Sequence, residues 1–244
     1  MSQPPAGPPP LSTLPEADFR RVLCVVAHPD DVEYGTSAAI AKWVAAGVEV
    51  SYLLLTAGEA GMQRPPEEVG PLRAAEQRAA CEAVGVSDLE ILDFADGMLV
   101  YSLDLRRAIA RKIRQVTPDV VVTGSWEVEF VAGLNQADHR VAGLATLDAI
   151  RDADNTWVFP ELAREQGLSK WGVKWLLVGG DSRPTHAVDV TGEPLAKGVA
   201  SLEAHADYLA SIPGHPAPAD FIPMLCRMAG PSIGVESAVA FRAY

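Results

Sequence analysis

One histidine and three carboxylates stand close together directly after an apolar run. They lie within six residues of one another and are His28, Asp30, Asp31 and Glu33. Imidazole nitrogen and carboxylate oxygen form the mixed ligand set that suits zinc or a similar divalent ion. An aspartate at this point could also cap the following helix, but a cap needs only one aspartate and no histidine. The cluster therefore favours a metal site over a helix cap.

The apolar run before this cluster predicts the first strand of the fold. Residues 22–27 are apolar and rich in β-branched side chains, which is typical of a strand buried on both faces. The strand must stop at Pro29, because proline has no N–H group for a sheet ladder. A helical pattern over 35–46 and a second apolar strand over 48–56 complete a βαβ unit. The polar cluster thus falls at the carboxyl end of a strand, where open α/β sheets place their sites.

The rest of the chain continues to alternate between strand and helix patterns. This alternation predicts an α/β fold that is Rossmann-like, with a mostly parallel sheet, helices on both faces and the active site at the carboxyl ends of the strands. No glycine-rich dinucleotide fingerprint follows the first strand, which argues against a nucleotide-dependent oxidoreductase. Further strands are predicted over 89–94, 120–123, 171–178 and 185–190, and further helices over 72–84, 103–116, 141–150 and 196–209. The segment 57–71 is predicted to be a loop, and the basic face of the helix over 103–116 is predicted to be solvated.

Length, charge and cysteine content narrow the class of protein. The 244 residues, 48% of them hydrophobic, suffice for one α/β domain, which we predict over 19–244. Residues 1–18 are rich in proline and lack a basic start, which predicts a flexible tail in place of a signal peptide. A net charge of −12 argues against nucleic acid and membrane partners. The widely spaced Cys24, Cys81 and Cys226 predict reduced core thiols in a cytoplasmic protein.

Two more polar residues are expected at the same edge of the sheet as His28. Asp96 and His139 each follow a predicted strand, and the carboxyl ends of parallel strands share one edge. His28 and Asp31 can reach one ion if the proline turn curls back, and a third ligand from another strand would leave a position for water. His139 alone could be a helix cap or a surface group. Its place after a strand makes it the candidate third ligand.

These motifs resemble those of a known group of enzymes. Ala27-His-Pro-Asp-Asp31 with Glu33, followed by Asp138-His139-Arg140 and Gly143, resembles the PIG-L/LmbE-like superfamily of zinc-dependent N-deacetylases. That superfamily includes N-acetylglucosaminyl-inositol and N-acetylglucosaminyl-malate deacetylases and the de-N-acetylases of glycolipid anchors. The resemblance covers roughly residues 21–244, and its first motif is the more specific of the two.

The resemblance implies a set of metal ligands and a general base. His28, Asp31 and His139 correspond to the three zinc ligands, although two histidines and one aspartate also suit ferrous iron or another divalent metal. Asp30 corresponds to the general base, which takes a proton from the water that zinc activates. Water then attacks the acetamide carbonyl, and acetate leaves once the proton has been returned to the amine.

One position departs from the pattern of the superfamily. Many members have His-Pro-Asp-His at the second motif, where the first histidine helps to stabilise the oxyanion, but this chain has Gln136-Ala-Asp-His139. A glutamine amide can donate a hydrogen bond but cannot become cationic. Either Gln136 assists as a neutral donor while zinc carries more of the charge, or another group fills the role.

Two acidic residues are expected to support the ligands. Asp138 is expected to accept a hydrogen bond from a ligand histidine or to cap its helix. For Glu33 the alternatives are to hold a ligand from behind or to cap the helix that follows it.

Three residues are candidate substrate contacts. By the resemblance, Arg78 and Asp96 match positions that contact sugar hydroxyls in relatives, although Arg78 could instead pair with Glu82 on the helix surface. His205 is a further candidate, as is His186, against the alternative that both are structural histidines.

Together these features predict a zinc-dependent N-deacetylase that acts on a small N-acetylglucosamine-type amino-sugar conjugate. One alternative is an amidase of the same superfamily that cleaves a different acyl amide or a thiol conjugate. Another is a non-catalytic member that binds sugar or metal, for which Gln136 is the motive. Members of the superfamily are often oligomers, and a homo-oligomer is compatible with the sequence, which does not locate an interface.

Overall fold

The structure, a computed structural model, describes residues 10–131 and 133–244 and is organised around one eight-stranded sheet. The strand order in the sheet is β1-β9-β10-β8-β5-β2-β3-β4, while β6 and β7 form a separate two-stranded ribbon. All pairings in the sheet are parallel except those of β10, which runs antiparallel to β8 and β9. The predicted mostly parallel α/β sheet is therefore confirmed. The strands are β1 (Ser12–Thr13), β2 (Arg21–Val26), β3 (Glu49–Leu54), β4 (Asp88–Ile91), β5 (Val120–Gly124), β6 (Glu129–Phe130), β7 (Gly133–Leu134), β8 (Trp175–Gly179), β9 (His186–Asp189) and β10 (Ala238–Ala243).

Helices cover both faces of the sheet, because alternate residues of the central strands point to opposite sides. The helices are α1 (Ser37–Ala45), α2 (Pro66–Val84), α3 (Leu103–Val116), α4 (Ala137–Ala153), α5 (Pro160–Arg164), α6 (Glu193–Glu203), α7 (Ala206–Ala210) and α8 (Pro218–Ala229). In β2, Val22 and Val26 join a core that also contains residues of α1, α2, α6 and α8. Leu23 and Val25 join the second core, which contains residues of α3 and α4. The buried β2 strand thus carries the residues that follow it to the middle of the sheet edge.

Helix α2 begins six residues earlier than the sequence pattern predicted. Pro66 occupies its first turn, where a missing N–H group costs nothing, and Glu67 and Glu68 suit the positive end of the helix. Pro71 is then accommodated inside the helix. The predicted loop over 57–71 is therefore wrong for its second half.

The C-terminal part of the chain differs most from the prediction. The single helix predicted over 196–209 is two helices, α6 and α7, which are interrupted at His205. Beyond 212, where the sequence pattern was weak, α8 and β10 complete the core and the sheet. Strand β10 is antiparallel and needs no crossover helix, so the alternation of strand and helix patterns did not predict it.

The predicted tail over 1–18 is wrong for its second half, while residues 1–9 lie outside the described part of the chain. Ser12 and Thr13 pair with β9, and Leu14 is buried in the core. Glu16, in a short 3₁₀ helix over Glu16–Asp18, accepts hydrogen bonds from Lys42 and Trp43 of α1. The packed domain thus begins before the predicted boundary at residue 19.

The basic face of α3 is less solvated than predicted. Lys112 and Arg114 are buried. The Arg114 guanidinium donates to backbone carbonyls near the end of α4, including those of Asp152 and Ala153. A cation at the negative end of a helix is favourable, which explains why this arginine is turned inward.

Two observations bear on the class of protein that composition predicted. Cys24, Cys81 and Cys226 are all free and buried, which confirms them as core thiols. Among the described residues, no helix combines the length and the apolar character that crossing a bilayer requires.

Close packing of α6 on α1 gives a first prediction. A Cβ atom added at Gly198 would lie 2.9 Å from Ala38 Cβ and 3.0 Å from its backbone nitrogen, so G198A must push the helices apart. We expect a loss of about 1–3 kcal/mol in the free energy of unfolding, measured by chemical denaturation. The control is G70A in α2, where the added Cβ would be 3.4 Å from Glu59 Cβ, an ordinary contact. The control should be neutral or gain up to about 1 kcal/mol from helix propensity, and equal losses in both would contradict the packing argument.

Candidate active site

A sharp turn at the end of β2 presents the first polar cluster. The His28 backbone N–H donates to Asp31 Oδ2 at 2.9 Å, which closes the turn around Pro29. Asp30 has a φ of 85°, a left-handed conformation that non-glycine residues rarely adopt. Because of this twist, the neighbouring side chains of Asp30 and Asp31 contact different partners.

The structure brings His28, Asp31 and His139 together. His28 Nδ1 is 3.2 Å from His139 Nε2, and His139 Nε2 is 3.0 Å from Asp31 Oδ1. One ligand atom from each of the three side chains lies within 4.8 Å of those of the others. Two imidazoles and one carboxylate at this spacing fit a zinc ion or a similar divalent ion. These are the three ligands that the sequence predicted, and their role stays a prediction.

Two carboxylates hold His28 from the other side of its ring. His28 Nε2 lies 2.9 Å from Asp96 Oδ1 and 3.4 Å from Asp138 Oδ2. A carboxylate behind a histidine fixes the ring and leaves the opposite nitrogen free for a metal. These three residues also form a second group with ligand-like spacing, but both oxygens of Asp138 already accept backbone N–H groups, from Gly97 and Leu99. We therefore regard the group with His139 as the better metal site.

His139 lies in the first turn of α4, because that helix begins at Ala137, four residues before the predicted start. Its Nδ1 atom is 3.3 Å from Asn135 Oδ1. The Asn135 amide in turn donates to the backbone carbonyls of Ser125 and Glu127. The sequence analysis missed Asn135, which orients this imidazole so that Nε2 faces Asp31.

The carboxylates and imidazoles shift one another's pKa values. Burial lowers the pKa of His28, but hydrogen bonds and charge from Asp31 and Asp96 outweigh it and raise the value to about 11. For Asp31, burial favours the neutral form, yet His139 and His28 lower its pKa overall. Burial raises the pKa of Asp30 to about 7, with Arg73 opposing and Asp31 reinforcing the shift. Protons on the imidazoles thus balance the negative charge of the site, and a divalent cation could supply that positive charge in their place.

Arg73, and not the predicted Arg78, reaches the site. Arg73 Nη2 is 3.2 Å from Asp30 Oδ2, and the same guanidinium donates to the carbonyls of Pro29 and Gly58 at 2.6 and 3.0 Å. Arg78 is exposed, and its guanidinium donates to Ala74 O of its own helix, not to Glu82. Arg78 thus lies on the exposed face of α2, and its contact with substrate stays a prediction.

The remaining predicted site residues differ in their exposure and in the groups that they contact. His205 is wholly inaccessible to solvent, and its contact with substrate stays a prediction. The side chain of Asp96 is only 7% exposed and is engaged with His28, although a contact with substrate stays a prediction. His186, the first residue of β9, packs against the ring of Trp175 at the start of β8. Gln136 is exposed at the N-cap position of α4, and its side chain makes no capping hydrogen bond.

Glu33 is a buried partner of the site and not a helix cap. The N-cap position of α1 belongs to Thr36. Glu33 Oε1 accepts hydrogen bonds from Gln77 Nε2 at 3.2 Å and from Ser201 Oγ at 3.3 Å, while Oε2 lies 3.8 Å from His205 Nε2. None of these partners is a candidate metal ligand, so the alternative that Glu33 holds a ligand from behind stays a prediction.

C-terminal residues that the sequence analysis did not use also approach the site. The ring of Tyr208 stacks on the Arg73 guanidinium at 3.9 Å. Tyr34 Oη is 2.6 Å from His215 Nε2. Burial raises the pKa of Tyr208 to about 12, and the nearby Asp30 carboxylate adds to this shift. Tyr208 and Arg73 therefore lie together beside the Asp30 carboxylate.

The fold and this centre define a Rossmann-like α/β protein with a histidine–aspartate cluster at the carboxyl edge of its sheet. Residues 23–150 match the PIG-L family, which is described as GlcNAc-PI de-N-acetylase. The chain belongs to this family.

Individual relatives agree with that assignment. The chain is 32% identical over 139 residues to diacetylchitobiose deacetylase of Thermococcus kodakarensis, an alignment that covers 56% of this chain and 51% of that protein. It is also 32% identical to a 1D-myo-inositol 2-acetamido-2-deoxy-alpha-D-glucopyranoside deacetylase of Kineococcus radiotolerans, with 77% and 68% covered. The aligned part therefore spans only about half the length of the Thermococcus relative. Among solved structures, N,N'-diacetylchitobiose deacetylase from Pyrococcus horikoshii shares the fold, with a TM-score of 0.83, 22% identity, and 94% and 85% of the chains covered.

The separation of Asp30 from Asp31 gives a prediction about metal binding. We expect the wild-type chain to bind about one divalent ion, D31N to lose most of it, and D30N to keep it, because Asp30 contacts Arg73 and not the imidazoles. Asparagine suits both positions because it has the same shape and tolerates a left-handed backbone. Metal content after dialysis against limiting zinc, measured by mass spectrometry, checks this. Loss of the ion from D30N with retention in D31N would mean that the two roles are exchanged.

Proposed function

We propose that this chain is a metal-dependent hydrolase that removes the N-acetyl group from an N-acetylglucosamine-type amino-sugar conjugate. The observation that carries the proposal is the convergence of His28, Asp31 and His139 beside a further carboxylate, Asp30, that does not belong to that group. The names of the two relatives, deacetylases of diacetylchitobiose and of an inositol glycoside of 2-acetamido-glucose, support the substrate class. A cytoplasmic location is part of the proposal and is in keeping with the three free cysteines.

The residues of the site suit the two proton transfers of amide hydrolysis. A zinc ion or similar divalent ion held by His28, Asp31 and His139 would supply a water activated near neutral pH and an electrophile for the amide oxygen. Asp30 accepts a proton at a carboxylate oxygen as the water oxygen bonds to the acetamide carbon. The C–N bond then breaks, its electron pair stays on nitrogen, and Asp30 returns the proton to that nitrogen. Acetate and a free amine are the products.

Arg73 and Tyr208 hold the carboxyl group that moves the proton. The Arg73 guanidinium is anchored by two backbone carbonyls and stacks under the ring of Tyr208, so it has little freedom to leave Asp30. An ion pair held in this way fixes the carboxylate next to the candidate metal ligands without making it one of them. The arrangement fits a general base better than a fourth ligand.

The proposal predicts that Asp30 is needed for turnover. We expect D30N to release acetate about 10²- to 10⁴-fold more slowly than the wild type, because an amide cannot accept and return the proton. Acetate and free amine are measured with GlcNAc-inositol, GlcNAc-malate and diacetylchitobiose as substrates. The control is D220N, which removes an exposed carboxylate on α8 and should leave turnover unchanged. If D30N released acetate as fast as the wild type, this role for Asp30 would be excluded. Release of a different acyl group by the wild type would instead indicate another amidase of the same superfamily.

The glutamine at position 136 predicts a particular pH dependence. The wild-type rate should lack the limb that an ionisable group at this position would give, since an amide does not titrate. Q136H should introduce a limb near pH 6.5 in which the rate falls as the pH rises, because only the protonated imidazole carries a positive charge for the oxyanion. Rates of acetate release between pH 5 and 9 check this, with Q136A as the matched variant without a donor. Identical profiles for all three proteins would exclude a role for position 136.

A further inference from the structure

The conformation of Asp30 requires a partner for its backbone. A φ of 85° costs a non-glycine residue roughly 1–2 kcal/mol, so the surrounding structure must hold the turn in place. The polar atoms of the Pro29–Asp30 peptide are both held by side chains of α2. At its carbonyl oxygen, Arg73 donates to Pro29 O at 2.6 Å. On the amide side, the Asp30 N–H donates to Gln77 Oε1 at 3.0 Å, and both residues are buried.

The orientation of the Gln77 amide is itself fixed by a carboxylate. Gln77 Nε2 donates to Glu33 Oε1 at 3.2 Å, and Ser201 Oγ donates to the same oxygen at 3.3 Å. A carboxylate can only accept hydrogen bonds, so the NH₂ end of the amide must face Glu33 and the carbonyl end must face Asp30. A chain of hydrogen bonds therefore runs from Glu33 through Gln77 to the backbone of Asp30.

We propose that Gln77 is a positioning residue that holds Asp30 in its left-handed conformation and so keeps the Asp30 carboxylate apart from the group formed by His28, Asp31 and His139. The two neighbouring aspartates could otherwise compete for the same place. With the turn held, Asp30 Oδ2 lies 3.2 Å from Arg73, and Asp31 Oδ1 lies 3.0 Å from His139. The kinetic part of this inference rests on the proposed function, while its structural part does not.

Hydrogen exchange tests the structural part without any turnover. In the full-length chain, Q77M keeps the volume of the side chain but removes the acceptor, so the Asp30 amide should exchange at least about tenfold faster than in the wild type. Q77L also lacks the acceptor and should show the same acceleration. The control is T146V, which removes a buried hydroxyl bonded to Ala142 O in α4 and should leave exchange at Asp30 unchanged. Unchanged exchange in Q77M would overturn the inference even if the chain is a deacetylase.

The kinetic part is tested by a double-mutant cycle. Q77M should lower kcat about 10- to 100-fold with KM within twofold of the wild type and zinc content unchanged, because a small displacement of a catalytic group has effects of this size. In the D30N background Q77M should cause no further loss, since Gln77 acts through Asp30. A general loss of structure would lower the rate equally in both backgrounds, and that result would contradict the inference.

Two outcomes separate this inference from the proposed function. If Q77M folds poorly, Q77L, which also lacks the acceptor, serves instead with the same expected loss in kcat, and a kcat equal to that of the wild type would count against the account. If the wild type releases no acetate from any substrate, the proposed function fails and the exchange of the Asp30 amide alone decides the role of Gln77.

Discussion

The structure depends on a group of buried carboxylates at the carboxyl end of β2. Carboxylates that are removed from water are costly unless positive or hydrogen-donating groups surround them. The imidazoles, the Arg73 guanidinium and the backbone amides of the 97–99 loop meet that need, and they come from four separate segments of the chain. The positions of α2, α4 and the loop after β4 can all be understood as ways to bring those groups to one point.

Helix α2 does more than cover the sheet, because it also supplies polar side chains to the site. Its inward face carries Arg73, Glu76 and Gln77 in place of large apolar side chains. Arg73 and Gln77 hold the Pro29–Asp30 peptide at its carbonyl oxygen and its N–H group, while Glu76 Oε1 accepts the backbone N–H of Asp207 at 2.6 Å at the start of α7. The helix thereby joins the turn after β2 to the C-terminal segment that contains Tyr208. A change in the position of α2 would alter the surroundings of Asp30 before it altered the three candidate ligands.

The sequence was informative where side-chain chemistry and strand pattern coincide, and much less so elsewhere. His28, Asp31 and His139 could be brought together because each follows a strand and parallel strands end at one edge. Arg73 could not be distinguished from Arg78, since the polar inner face of α2 hides the hydrophobic period that would show which arginine points inward. The break at His205 has no proline or glycine to signal it, and Asn135 acts through backbone carbonyls that only the fold brings near.

The central claim is that the histidine–aspartate cluster binds one divalent ion and that hydrolysis depends on it. The most direct measurement is a titration of chelator-treated, folded protein with zinc, in which acetate release from a GlcNAc conjugate is followed at each addition. The account predicts that release is abolished by the chelator, rises in proportion to added zinc and reaches its maximum at about one equivalent per chain, as expected for a single catalytic site. Acetate release that persists in metal-free protein, or that needs several equivalents, would contradict it.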